Sequence, residues 1–120
     1  MNLNRNQKVD FMVLKQLEAY SSRDNDLIEE LIRDYEIDSA KLLNLISKHL
    51  VNMDLVGIQE SAHGLKSISS CLGMMVVSDM CQKLEDAIQI EATTAEEIKT
   101  LIEEIATALN MVKNYQSTKA

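Results

Sequence analysis

Proline is absent from this chain, and apolar residues return along it every three or four positions. Few folds accommodate both properties. A period near 3.6 residues lays apolar side chains along one face of a helix, and without proline no residue forces such a helix to break. The chain is rich in Leu, Ile, Glu and Lys, whereas its aromatics are confined to Phe11, Tyr20, Tyr35 and Tyr115. These features predict an all-α fold. A length of 120 residues suits one domain, 1–120, around one core.

Five helical segments are predicted. The first runs from about Gln7 to Tyr20, with Val9, Met12, Val13, Leu17 and Tyr20 inward, and ends at the break Ser21-Ser22-Arg23-Asp24-Asn25. The second is one long helix from about Asp26 to His49, carrying Leu27, Leu31, Tyr35, Leu42, Leu45, Ile46 and His49. After the connector Val51-Asn52-Met53-Asp54, with Asp54 as N-cap, a third helix spans about Leu55 to Ser70. Its seam is Leu55, Ile58, Ala62, Leu65, Ser69 and Leu72, at spacings of 3, 4, 3, 4 and 3. Gly73 marks a turn, as a glycine past a helix end commonly does. The fourth helix covers about Met75 to Ile90, with Val77, Met80, Cys81, Leu84 and Ile88 inward. Thr93-Thr94-Ala95-Glu96-Glu97 resembles a capping box for the fifth, Thr94 to Tyr115, with Ile98, Leu101, Ile102, Ile105, Leu109 and Val112 inward. Short connections make neighbours antiparallel, so the predicted architecture is an antiparallel four-helix bundle with an additional N-terminal helix.

The net charge of −7 argues against nucleic acid, whose phosphates select basic faces, and against anionic membrane surfaces. No apolar run approaches the roughly 20 residues that span a bilayer, and the N-terminus lacks the apolar core of a signal peptide. A cytoplasmic protein without membrane insertion is therefore expected, with Cys71 and Cys81 as reduced thiols. No glycine-rich loop for a nucleotide is present.

His63 lies one residue past the seam of the third helix, turned about 100° away from it. Its ring is expected at the edge of the core, reachable from solvent. The residues one, four and seven positions on are Gly64, Ser67 and Ser70. An exposed helix face ordinarily carries longer residues, because Gly and Ser cost about 0.5–1 kcal/mol each in helix propensity. Gln59, Gly64, Ser67 and Ser70 are therefore the predicted surface for close approach by a partner. One cation, Lys66, stands a turn away. An exposed imidazole, a low approach and one nearby positive charge suit a histidine that accepts an anionic group.

Counting from the turn supplies a second group. His63 is ten residues before Gly73, about 15 Å along the axis, and Glu85 is twelve after it, about 18 Å back. The two side chains are expected to meet. A carboxylate that accepts the Nδ1–H of an imidazole fixes the ring and leaves the Nε2 lone pair as nucleophile. It also stabilises positive charge developing on the ring. Lys66 is expected to neutralise the oxygens of the incoming group, with Ser67 and Ser70 as weaker donors. A metal reading of Glu60-x-x-His63 requires a second such motif and further glutamates. His49 has Ile46 three residues before it, so no metal is expected, and His49 reads as a helix-end residue in the field of the C-terminal dipole.

These residues resemble the histidine-containing phosphotransfer (HPt) domain family of two-component phosphorelays. The family pattern is His-x-Leu-Lys-Gly followed by Gly six residues later; here it reads His63-Gly64-Leu65-Lys66-Ser67, then Gly73. The family often carries Gln or Glu on the next helix, bonded to the active histidine, and Glu85 matches that position. The resemblance extends from Val9 to Tyr115. It departs at Ser67, usually Gly, where serine is small enough for close approach to survive, and at Gly64, which weakens the helix. It implies a phosphocarrier, not an enzyme with its own turnover: His63 takes a phosphoryl group from a phospho-aspartate on one receiver domain and passes it to an aspartate on another. It implies receiver domains of hybrid sensor kinases and response regulators as partners, and no cofactor on this chain, since Mg²⁺ belongs to the receiver. A monomer is expected. The alternative is a non-catalytic module that binds a receiver without being phosphorylated; His63 and Lys66 argue against it.

Overall fold

The computed structural model describes residues 7–22 and 26–117. Five helices follow one another: α1 (Phe11–Glu18), α2 (Leu27–Val51), α3 (Leu55–Cys71), α4 (Met75–Asp86) and α5 (Thr94–Ser117). Aspartate starts the first three. Asp10 accepts from the N–H of Met12, Asp26 from that of Glu29, and Asp54 from that of Gly57, each bond satisfying an otherwise orphaned donor and stabilising by about 1 kcal/mol.

Helix α3 packs between α2 and α4, and α5 closes the bundle against α2 and α4, with α1 against α2. The core draws Ile28, Ile32, Tyr35 and Ile46 from α2, Ile58, Ala62 and Leu65 from α3, Val77, Cys81 and Leu84 from α4, and Ile98, Leu101, Ile105, Ala108 and Val112 from α5. Burying each of the larger side chains stabilises by about 1.5–3 kcal/mol. A polar pair crosses this core: the hydroxyls of Tyr35 and Ser69 share a hydrogen bond of 2.9 Å. Burial pushes the Tyr35 phenol up to about 12, against the opposing effect of Ser69.

The long second helix and the end of the third match expectation, but the ends of the chain differ. Helix α1 starts only at Phe11, because Lys8–Asp10 is extended against the α3–α4 turn, where Val9 bridges to Met74. Val9 is buried there, whereas Met12 and Tyr20, both expected inward, are exposed. Phe11 stacks on Tyr115 instead, and Lys8 pairs with Glu104 of α5 at 2.8 Å. Of the predicted break, Arg23, Asp24 and Asn25 lie outside the described residues. On α2, Tyr35 and Ile46 are buried as expected, but in its first two turns the buried positions are Ile28 and Ile32, leaving Leu27 and Leu31 on their flank, and Leu45 is exposed. On α5, Ile102 is likewise exposed and Ala108 is buried.

Helix α4 stops at Asp86, four residues before the predicted end. Gln59 of α3 donates from Nε2 to the Ala87 carbonyl at 2.8 Å, and Ala87 is extended, with ψ 135°. Ile88, expected inward, is thereby 90% exposed. The predicted capping box takes another form: Thr94 Oγ1 accepts from the Glu91 N–H, and the Thr93 hydroxyl faces the Glu97 carboxylate.

Candidate functional site

The site is built on the α3–α4 hairpin, and the turn sets its register. Gly73 has φ +71°, the left-handed region that disfavours any side chain. A Cβ there would also stand 2.6 Å from the Asp10 carbonyl oxygen. The extended N-terminal segment is that close because Asp10 N–H donates to the Gly73 carbonyl at 2.7 Å and Met75 N–H to the Lys8 carbonyl at 2.9 Å.

From this fixed turn three polar rungs cross between the helices. Ser70 Oγ meets Ser78 Oγ at 3.0 Å, Lys66 Nζ donates to Gln82 Oε1 at 2.8 Å, and His63 Nδ1 lies 2.9 Å from Glu85 Oε2. The partners of each rung are equidistant from Met74 along the sequence, as an antiparallel hairpin requires.

The His63 side chain is 61% exposed, and that of Glu85 25%. An ionised carboxylate only accepts, so Nδ1 carries the proton and donates. In the neutral ring the Nε2 lone pair is then free. The second oxygen of Glu85, Oε1, is shut away from solvent and lies 2.7 Å from the Lys66 ammonium. Lys66 and then His63 hold the Glu85 carboxyl below the usual carboxylate range, overcoming the desolvation that pushes the other way. Beneath it, burial pushes the Cys81 thiol up to about 12, with the Glu85 charge adding to the effect.

The remaining predicted site residues fall into different places. The Ser67 hydroxyl donates back to the His63 carbonyl at 3.1 Å, and Ser70 is engaged with Ser78, but both residues remain exposed beside His63. Gly64 faces α2, where a Cβ would meet the Leu42 methyls at 3.4 and 3.6 Å. Gln59 fastens the end of α4. Lys66, expected as a cation for an incoming group, rests on Glu85 and Gln82. Gln82 and Asp86 were not expected in the site: Gln82 Nε2 donates to Asp86 Oδ1 at 2.8 Å. Their signal was available, since Gln82 precedes Glu85 by three residues and shares its helix face. The close-approach glycine of α3 is Gly57, whose Cβ would stand 2.5 Å from His49 Nδ1. His49 lies over it and pairs with Asp54 at 3.3 Å.

Bundle and site together define a helical scaffold that presents the imidazole of His63, oriented by a carboxylate, to solvent. The sequence model of the Hpt domain matches residues 30–114, and the chain belongs to that family. It serves as a histidine phosphocarrier in a phosphorelay. Among solved structures it is similar to histidine-containing phosphotransfer protein B (HptB) from Pseudomonas aeruginosa PAO1, with a TM-score of 0.78 and 20% identity over 94% of this chain and 97% of that one. No curated protein matches the sequence.

Proposed function

We propose that His63 is the residue that carries the phosphoryl group. The observation behind this reading is the His63–Glu85 pair at 2.9 Å on an exposed ring. Nε2 attacks the phosphorus of an aspartyl phosphate on a receiver domain. The P–O bond to the aspartate breaks, and its electron pair leaves on the aspartate carboxylate. The ring becomes a phosphoimidazolium that keeps its Nδ1 proton, and Glu85 stabilises the new positive charge through that proton. Transfer to a second receiver reverses these events at another aspartate. No proton has to be removed from the ring in either direction.

Most of the remaining chemistry is positioning. In this reading Mg²⁺ is supplied by the receiver, the chain has no turnover of its own, and it acts as a monomer and one domain in the cytoplasm. Among the described residues no helix is long and apolar enough to cross a membrane. The exposed surface around Ser67 and Ser70 receives the partner.

Incubation with a phosphorylated receiver is expected to give an acid-labile, base-stable adduct on the wild-type chain and none on His63→Gln. Label on His63→Gln, or label mapped to His49, would overturn the assignment.

A further inference from the structure

Lys66 and Gln82 remain unexplained by a carrier that needs only an oriented imidazole. Their side chains belong to one continuous polar chain. Asp86 accepts from Gln82 Nε2, Gln82 Oε1 accepts from Lys66, Lys66 pairs with Glu85 Oε1, and Glu85 Oε2 accepts from His63 Nδ1, at 2.8, 2.8, 2.7 and 2.9 Å. Every link joins a side chain of α3 to one of α4 or two residues one turn apart on α4.

The Lys66 ammonium is spent inside this chain. Only a quarter of its side chain is exposed. The consequence for Glu85 follows from the burial of Oε1. A charged oxygen withdrawn from water requires a partner, and the ion pair with Lys66 supplies it. Without Lys66, the carboxylate is better solvated after swinging outward, and a carboxylate that swings outward leaves His63.

Resting on His63 as the phosphoryl acceptor, we infer that Lys66, held by Gln82, is a positioning residue that acts through Glu85: it anchors the carboxylate oxygen facing away from the imidazole so that the other fixes the Nδ1–H tautomer. Its contribution to transfer then exists only while Glu85 is present. A lysine acting directly on the phosphoryl oxygens would contribute whether or not Glu85 were there, so the two roles separate in a double-mutant cycle.

The experiment measures phosphotransfer from one phosphorylated receiver to wild type, Lys66→Met, Glu85→Ala and the double variant, with far-UV circular dichroism on each. Lys66→Met and Glu85→Ala are each expected to slow transfer roughly tenfold, the scale on which histidine loses function when its orienting partner is removed. The double variant is expected to match Glu85→Ala alone, and Lys66→Arg to recover most of the rate. In the unphosphorylated protein, ¹⁵N shifts of the His63 ring in alkaline buffer are expected to show the Nδ1–H tautomer dominant in wild type and depleted in Lys66→Met. A double variant slower than Glu85→Ala by the full Lys66→Met factor, or an unchanged tautomer ratio, would overturn the inference. The tautomer measurement involves no phosphate, so it fails or succeeds independently of the assignment of His63 as acceptor.

Discussion

Replacing Gly73 with alanine tests whether the N-terminal segment presses on the turn that sets the site. At φ +71° an alanine costs about 1–2 kcal/mol in backbone strain alone. Its Cβ would stand 2.6 Å from the Asp10 carbonyl oxygen and 3.1 Å from Val13 Cβ, so the segment must withdraw. Withdrawal loses the Asp10–Gly73 and Met75–Lys8 backbone hydrogen bonds, about 0.5–1.5 kcal/mol each. The sum is about 2–5 kcal/mol, a large share of the roughly 5–15 kcal/mol that holds a domain folded. Urea unfolding followed by circular dichroism measures it. The same exchange at Gly64 is the control. There the backbone is helical and the added methyl meets only Leu42, at ordinary contact distance, so Gly64→Ala is expected to stabilise by about 0.5–1 kcal/mol. A Gly73→Ala loss below about 1 kcal/mol would refute the argument from close approach, and so would a Gly64→Ala variant less stable than wild type.

Two further outcomes follow from the site. Ser67→Arg fills the exposed surface one turn from His63 with a residue that favours helix, so far-UV circular dichroism should be unchanged while transfer collapses, because reacting atoms must come within about 3–3.5 Å; transfer at wild-type speed by the folded variant would mean that the partner approaches elsewhere. The Glu85 carboxyl is held below its ordinary range by Lys66 and His63, so its contribution to stability is in place above the ordinary carboxylate range, where the unfolded carboxyl is also ionised, and is lost as the pH falls through its lower folded value. The stability difference between wild type and Glu85→Gln, read by urea unfolding across pH, should shrink as the pH falls through the acid range in which the folded Glu85 carboxyl takes up its proton; a difference that stays constant through that range would contradict it.

The bundle was legible because its signals are local. Aspartates before apolar runs begin α2 and α3, and Gly73 ends the third helix where expected. The meeting of His63 with Glu85 was legible too, since equal counts from a tight turn fix which residues of a hairpin face each other. What escaped depends on contacts between elements. Ile88 continues the apolar period of α4, yet Gln59, 28 residues earlier, takes the Ala87 carbonyl and the helix ends. Val9 fits the first helix by period, but its neighbours' hydrogen bonds go to the turn at Gly73. Helix phase places Lys66 near His63 without saying which acceptor its long side chain will choose. Gly64 and Gly57 look alike in the sequence, and only the path of α2 decides that Leu42 stands over one and His49 over the other.

The hydroxyl pair of Tyr35 and Ser69 bears on which alignment of α2 and α3 the chain accepts. Leucine and isoleucine seams are permissive, since a slide by one helical turn, about 5.4 Å, brings apolar side chains against apolar side chains again. The same slide would strand the phenol and the serine hydroxyl away from water without partners, at about 1–3 kcal/mol each. Helix α2 is thereby discouraged from sliding along the helix that carries His63, so the two helices keep one relative height.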